Sequence, residues 1–181
     1  GYYAQNFVAL SEKITDHLAE APEGARERLW QVRAREVVIA TGAIERPLVF
    51  PGNDRPGVML AEAARIFLNR YGVKVGARVV IATAQDSAYR VALDLAAAGV
   101  DIAAIADLRA NPPAAELEVA KAAGLRVIPS ATITGTKGRL RVASVGIAPV
   151  SGGVVGEAEW LPCDVLLMSG GWTPSVHLYS Q

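Results

Sequence analysis

Val37-Val38-Ile39-Ala40-Thr41-Gly42-Ala43-Ile44-Glu45-Arg46-Pro47 reads as a β-branched strand that stops on a Thr-Gly step and turns at a proline. A strand ending in Ala40-Thr41-Gly42 carries almost no side chain, so another backbone or a flat cofactor can approach it closely. A second, weaker copy lies at Asp164-Val165-Leu166-Leu167-Met168-Ser169-Gly170-Gly171-Trp172-Thr173-Pro174. The two strand ends bracket a complete strand-helix-strand region, which predicts a smaller α/β domain inserted into a larger one. The expected division is residues 1–52 for the first piece of the outer domain, 53–160 for the insertion, and 161–181 for the return strand.

Working outward, Tyr2 to Leu10 and Arg28 to Arg33 alternate bulky and polar residues as half-buried antiparallel strands do, with Pro22-Glu23-Gly24 breaking them apart. Pro47, Pro51-Gly52, Asn53-Asp54 and Pro56-Gly57 form a linker of turn formers where one domain hands over to the next. Leu60, Ala63, Ala64, Phe67, Leu68 and Tyr71 fall at helical spacing, and Gly72 stops that helix. Arg78–Thr83, Ser87–Ala98 and Asp101–Ala106 then read as strand, helix and strand, a βαβ unit with a right-handed crossover. Pro112-Pro113 opens another helix that Gly124 ends before a strand at Leu125–Ile128. From Ala131 the periodicity becomes two, with a Lys137-Gly138 turn between Ile133-Thr134 and Leu140-Arg141-Val142 and another turn at Ser151-Gly152-Gly153. The fold class is therefore α/β: a three-layer Rossmann-like parallel sheet with a β-meander, inserted between pieces of an outer domain.

A hydrophobic fraction of 51% over 181 residues excludes disorder. Eighteen basic residues balance eighteen acidic ones with no basic cluster among aromatics, so neither nucleic acid nor an anionic membrane is an expected partner. Runs such as Val79-Val80-Ile81-Ala82 are far shorter than the roughly 20 residues of a bilayer span. Cys163 stands alone, which fits a reducing compartment, and Gly1-Tyr2-Tyr3 begins no signal peptide. Cytoplasm is the expected location, and both ends read as cut.

Where the first βα turn of a dinucleotide-binding unit carries Gly-x-Gly-x-x-Gly, this chain has Ala82-Thr83-Ala84-Gln85-Asp86-Ser87, with a side chain at every glycine position. Those glycines permit the tight turn, the approach of pyrophosphate and the packing of helix on strand. Asp86 adds a carboxylate at the helix N-terminus, where a phosphate would otherwise sit. The site reads as self-filled. Asp107, at the end of the second strand, holds the place of a ribose-gripping acid, but an exposed strand-end Asp is commonplace.

The order of parts resembles the middle of the two-dinucleotide-domain flavoproteins typified by glutathione reductase. Ala40–Pro47, Pro51–Val58, Phe67–Val73 and Gly170–Leu178 together resemble the α subunits of heterotetrameric sarcosine oxidases along essentially the whole chain. The resemblance implies a large subunit that binds NAD in its outer domain and shares an FMN site with a β subunit, itself holding FAD, in a complex with γ and δ subunits. That complex would oxidise sarcosine, with tetrahydrofolate as one-carbon acceptor, and make hydrogen peroxide. By the family pattern the loop holding the NAD pyrophosphate lies upstream of Gly1, and no catalytic residue falls in this stretch. Ala40, Thr41 and Gly42, with Ser169, Gly170 and Gly171 as the return strand, match positions that line the NAD-bearing half. The piece itself is expected to bind no NAD or NADP and to hold no flavin. The runners-up are the large subunit of a related opine or cyanide-forming amine dehydrogenase and a ligand-free scaffold domain.

Plainer roles fit other residues. Arg46 faces either an anionic cofactor or a surface partner such as Glu45. His17 and His177 have no carboxylate or cysteine at metal-ligand spacing, so no metal is expected. Cys163 reads as an inert small hydrophobe, and Trp172 as a packing anchor or an interface residue.

Overall fold

The computed structural model describes residues 1–20 and 23–180, so Pro22 of the expected break and Gln181 of the expected return segment lie outside the described residues. The chain divides into two compact units, one of Gly1–Ile44 with Pro174–Gln181 and one of Glu45–Thr173.

In the outer unit, β1 (Tyr2–Tyr3), β2 (Phe7–Lys13) and β3 (Glu27–Arg33) form an antiparallel sheet in that order. Within the strand-like stretch Tyr2–Leu10 the chain folds back at Ala4–Asn6. Gln5 and Asn6 take positive φ values of 59° and 55°, and the Asn6 amide donates to Arg35 O at 2.9 Å. Left-handed residues in a short loop are what the twist of a tight hairpin requires. The sheet is not half-buried as expected, because every residue of β3 is exposed.

Val37–Gly42 is also not a strand: no strand among the described residues pairs with it, and Val38 is 89% exposed. β-branched residues supply propensity, but a strand forms only against a hydrogen-bonding neighbour. Regular structure resumes later, at β4 (Ala43–Glu45).

The inner unit begins with the turn-rich segment and β5 (Val58–Leu60), followed by α1 (Ala61–Tyr71), β6 (Arg78–Thr83), α2 (Ser87–Ala97), β7 (Asp101–Asp107), α3 (Ala114–Ala122) and β8 (Val127–Ile128). A meander of β9 (Ala131–Lys137), β10 (Ser144–Ser151), β11 (Val154–Val155) and β12 (Glu159–Pro162) comes next. β13 (Val165–Ser169) then returns to the parallel sheet, and β14 (Trp172–Pro174) leads out.

The parallel sheet has the order β5-β13-β6-β7-β8 and is buried on both faces, as doubly covered parallel strands are. Along β6 the side chains alternate between two cores. Val79 and Ile81 join Ala88, Val91, Leu95 and Leu167 under the helices; Val80 and Ala82 join Ile133, Val145, Ile147 and Leu166 under the meander. The expected three layers are present. Gly72 closes α1 at φ 66°, with its N–H on Leu68 O.

One hairpin differs from its reading. β9 pairs with β10, and Leu140-Arg141-Val142 lies in the connecting loop, with Leu140 82% exposed and Val142 buried. Long-range bonds take the segment away from the ladder: Val142 N donates to Pro56 O at 2.9 Å, and the Arg55 guanidinium donates to Gly138 O. Among the described residues no helix is long and apolar enough to cross a membrane, and no group of His, Cys, Asp or Glu could hold a metal ion.

Candidate functional site

In the outer unit, Ala40 and Thr41 line a groove of about 330 Å³ with Val8, Leu10, Val38 and Leu178. Thr41 Oγ1 donates to Ser175 O, and Ser175 N donates to Gly42 O at 2.9 Å, so the Thr-Gly step is tied to the segment after β14. Gly42 has φ 68°, and no atom lies within 4 Å of where its side chain would stand. The groove offers a largely apolar wall, with Gly1, Tyr2 and Thr41 as its polar members and no carboxylate, histidine or cysteine among its lining residues.

In the inner unit the strand order reverses between β6 and β13, the position where open α/β sheets place a ligand. That crevice is laced shut by the chain itself. Ala84 N donates to Ser169 O at 3.1 Å, Thr83 Oγ1 accepts the Gln85 N–H at 3.0 Å, and the Gln85 amide donates to Ser169 Oγ. Ser169 is fully buried, and its hydroxyl donates a hydrogen bond to Glu45 Oε1 at 2.5 Å. Beside it, a side chain on Gly170 would stand 3.0 Å from Pro47 O and 3.1 Å from Arg46 O. A side chain on Gly171 would stand 2.7 Å from the Arg46 guanidinium. Gly170 N donates to Arg46 O, and Arg46 N to Gly171 O, both at 2.8 Å. The space beside these two glycines is thus taken by the crossing Arg46–Leu48 strap.

Asp86 and Asp107 are both drawn to Arg109, a residue that no motif in the sequence marks. Arg109 Nη1 donates to Asp86 Oδ1 at 2.6 Å, and its Nη2 to Asp107 Oδ2 at 2.8 Å. Asp86 makes no capping bond to α2, and Trp172 Nε1 donates to Ser87 Oγ at 3.2 Å in the first turn of that helix. Asp107 is not the exposed acid expected from its strand-end position but is fully buried. Its hydrogen bond to Arg109 holds that guanidinium well above its ordinary range, and burial followed by Asp107 does the same to the Tyr89 phenol.

Glu45 is the second functional side chain the sequence hid. It forms no surface ion pair with Arg46; it is buried, accepting from Ser169 and, at 2.9 Å, from Glu62 N in the first turn of α1. Leu60 at the N-cap has no side chain able to accept that bond, so Glu45 caps the helix from outside. Burial raises the Glu45 carboxyl above its usual range, against the opposing pull of Ser169 and the Glu62 N–H. A carboxyl raised in the folded state contributes stability that is present below its unfolded pKa and lost as pH rises through the folded one. Glu45→Gln, which keeps the acceptor, should remove that loss. Glu45→Ala should cost about 1–2 kcal/mol at acidic pH and less once pH has risen through the Glu45 titration. Denaturant midpoints from pH 4 upward check both: parallel wild-type and Glu45→Gln profiles would contradict the assignment.

Cys163 is free and buried, and burial pushes its thiol up to about 11, so it is the inert hydrophobe expected. A further hollow of about 160 Å³ between the sheet and the meander is lined by Phe50, Ala82, Ala106, Ala131 and Ile133, with no charged group.

No protein-family model matches the chain. The alpha subunit of sarcosine oxidase from Corynebacterium sp. (strain P-1) is 44% identical over 187 residues, covering 100% of this chain and 19% of that protein. Its counterpart of the same name from Rhizobium meliloti (strain 1021) is 43% identical over 179 residues, covering 98% of this chain and 17% of that protein. An opine oxidase subunit from Agrobacterium tumefaciens (strain Ach5) is 40% identical over 81 residues, 45% of this chain and 16% of its own length. Among solved structures, T. acidophilum thioredoxin reductase matches with a TM-score of 0.62 at 17% identity, over 84% of this chain and 50% of that one. L-proline dehydrogenase from P. horikoshii matches with a TM-score of 0.57 at 22% identity, over 85% of this chain and 25% of that one. These structural likenesses concern the fold. The chain spans about one fifth of the length of the curated relatives it matches in full. Over its full length, then, the chain is homologous to a part of the sarcosine oxidase alpha subunit, as its sequence motifs indicate, and is built on a fold shared with flavin-dependent oxidoreductases.

Proposed function

We propose that the chain is the part of a sarcosine oxidase alpha subunit that backs the nucleotide-bearing half and carries no catalytic group of its own. The observation behind this reading is the 44% identity that runs along the whole chain. The parent complex would convert sarcosine, oxygen and water to glycine, formaldehyde and hydrogen peroxide, or pass the one-carbon unit to tetrahydrofolate. FAD and FMN supply the oxidation chemistry when bound, and NAD belongs to the alpha subunit.

The open edge at Gly42 and the largely apolar wall at Ala40 and Thr41 fit a flat cofactor surface. Ser169, Gly170 and Gly171 are proposed to serve that half by setting the path of the return strand. The inner crevice does not fit a dinucleotide, since its loop hydrogen-bonds to Ser169 and its acids to Arg109. Outer domain pieces on either side of an insertion, and partner β, γ and δ subunits in the cytoplasm, complete the proposal.

The test is oxidation by the full parent complex, with all of its subunits assembled. Peroxide formed from sarcosine is the expected result. Peroxide or reduced acceptor formed from an opine and not from sarcosine would move the assignment to the opine branch, whose named relative aligns with only 45% of the chain. An assembled complex that oxidises neither would leave a scaffold.

A further inference from the structure

β7 ends in Asp107, the place from which a dinucleotide-binding unit sends an acid to the ribose 2′-hydroxyl. Here that carboxylate is satisfied entirely from inside. Tyr89 Oη donates to Oδ2 at 2.9 Å, while Arg109 N and Nε donate to Oδ1 at 2.9 and 3.0 Å and Arg109 Nη2 to Oδ2 at 2.8 Å. The same guanidinium reaches across the loop to Asp86, which opens α2. Its planar fork therefore holds the two acids at once, a geometry that the compact ammonium of a lysine does not reproduce.

We infer that Arg109 is an intramolecular occupant of the strand-end crevice: it stands between Asp107 at the end of β7 and the N-terminus of α2, where a nucleotide would, and braces the β6–α2 turn against β7. Asp107 is then kept for Arg109 and Tyr89, and a ribose finds no free carboxylate. The bond pattern is reciprocal. With the Arg109 guanidinium gone, the buried carboxylate would keep only the Tyr89 hydroxyl and the backbone N–H of residue 109, and Asp86 would be left without its ion-pair partner. The brace does not depend on whether the parent complex oxidises sarcosine, and its test uses no turnover.

Thermal unfolding of the full chain is measured for the wild type, Arg109→Ala and Arg109→Lys in matched guanidinium and sodium salts at non-denaturing concentrations. Arg109→Ala should melt roughly 5–15 °C lower, with Arg109→Lys also lowered. Added guanidinium should restore most of the Arg109→Ala deficit and leave the wild type as it is in sodium. An Arg109→Ala protein that melts like the wild type, or whose deficit responds equally to both salts, would overturn the inference. If Arg109→Ala does not fold, hydrogen exchange of the wild-type arginine Nε–H groups decides. Arg109 should exchange roughly tenfold more slowly than exposed arginines, and equal rates would overturn the inference.

Discussion

Asp107→Ala should destabilise the inner unit by about 3–5 kcal/mol, the range for removing one partner of a buried ion pair. The side chain is fully buried and accepts four hydrogen bonds, three of them from Arg109. Its loss leaves the Tyr89 hydroxyl unpaired in the core and the guanidinium with Asp86 alone. Asp107→Asn should cost less, because the carboxamide oxygen still accepts. The pair Asp107→Leu with Arg109→Met should cost less than either single change, since no uncompensated buried charge remains and the carboxylate left at Asp86 is exposed. Denaturant unfolding of these variants and the two single changes completes the cycle. A loss under about 1 kcal/mol for Asp107→Ala would mean that water, not Arg109, solvates the acid.

Gly57→Ala should cost about 2–4 kcal/mol for a different reason, combining backbone strain with overpacking. Gly57 sits at φ 98°, and an added methyl would stand 2.9 Å from Asp164 O and 3.4 Å from the Val142 side chain. The carbonyl has no room to retreat. Asp164 Oδ1 and Oδ2 accept from Arg78 N and Ala77 N at 2.9 Å, its N–H donates to Arg78 O at 3.0 Å, and Arg141 donates to its O at 3.0 Å. Burial works against the charged Asp164 carboxyl, yet these N–H bonds outweigh it and hold the group below its usual range. Gly124→Ala is the control, at φ 71° with open space around it, and should cost only about 1 kcal/mol. Equal losses at the two glycines would show that the contact at Asp164 contributes nothing.

The contrast between these residues shows what a sequence reveals. β6, α2 and β7 are readable because each turns one apolar pattern toward a core, and period alone identifies such elements. Val37–Gly42 has the same β-branched character but lacks a neighbouring strand among the described residues, and no local pattern reports a missing partner. Leu140–Val142 alternates correctly, yet Pro56 and Arg55, more than eighty residues earlier, draw it into a loop. The loss of the glycine fingerprint at Ala82–Ser87 points to a closed crevice, and the structure supplies the closing groups. Asp86 does not fill it as a bare carboxylate at the helix end, as its position suggests; it is held by Arg109. Glu45 is invisible for a related reason. A cap arriving from seventeen residues upstream leaves no trace in the Leu60–Glu62 signal where a cap is normally sought.

The closed crevice is tested most directly by titrating the chain with NAD and NADP while following the backbone amides of Ala84–Ser87 and the Arg109 Nε–H by NMR. Resonances that do not move up to millimolar nucleotide are the expected result, whatever happens at Ala40–Gly42. Saturable shifts confined to Ala84–Ser87 and Arg109 at micromolar nucleotide would contradict it.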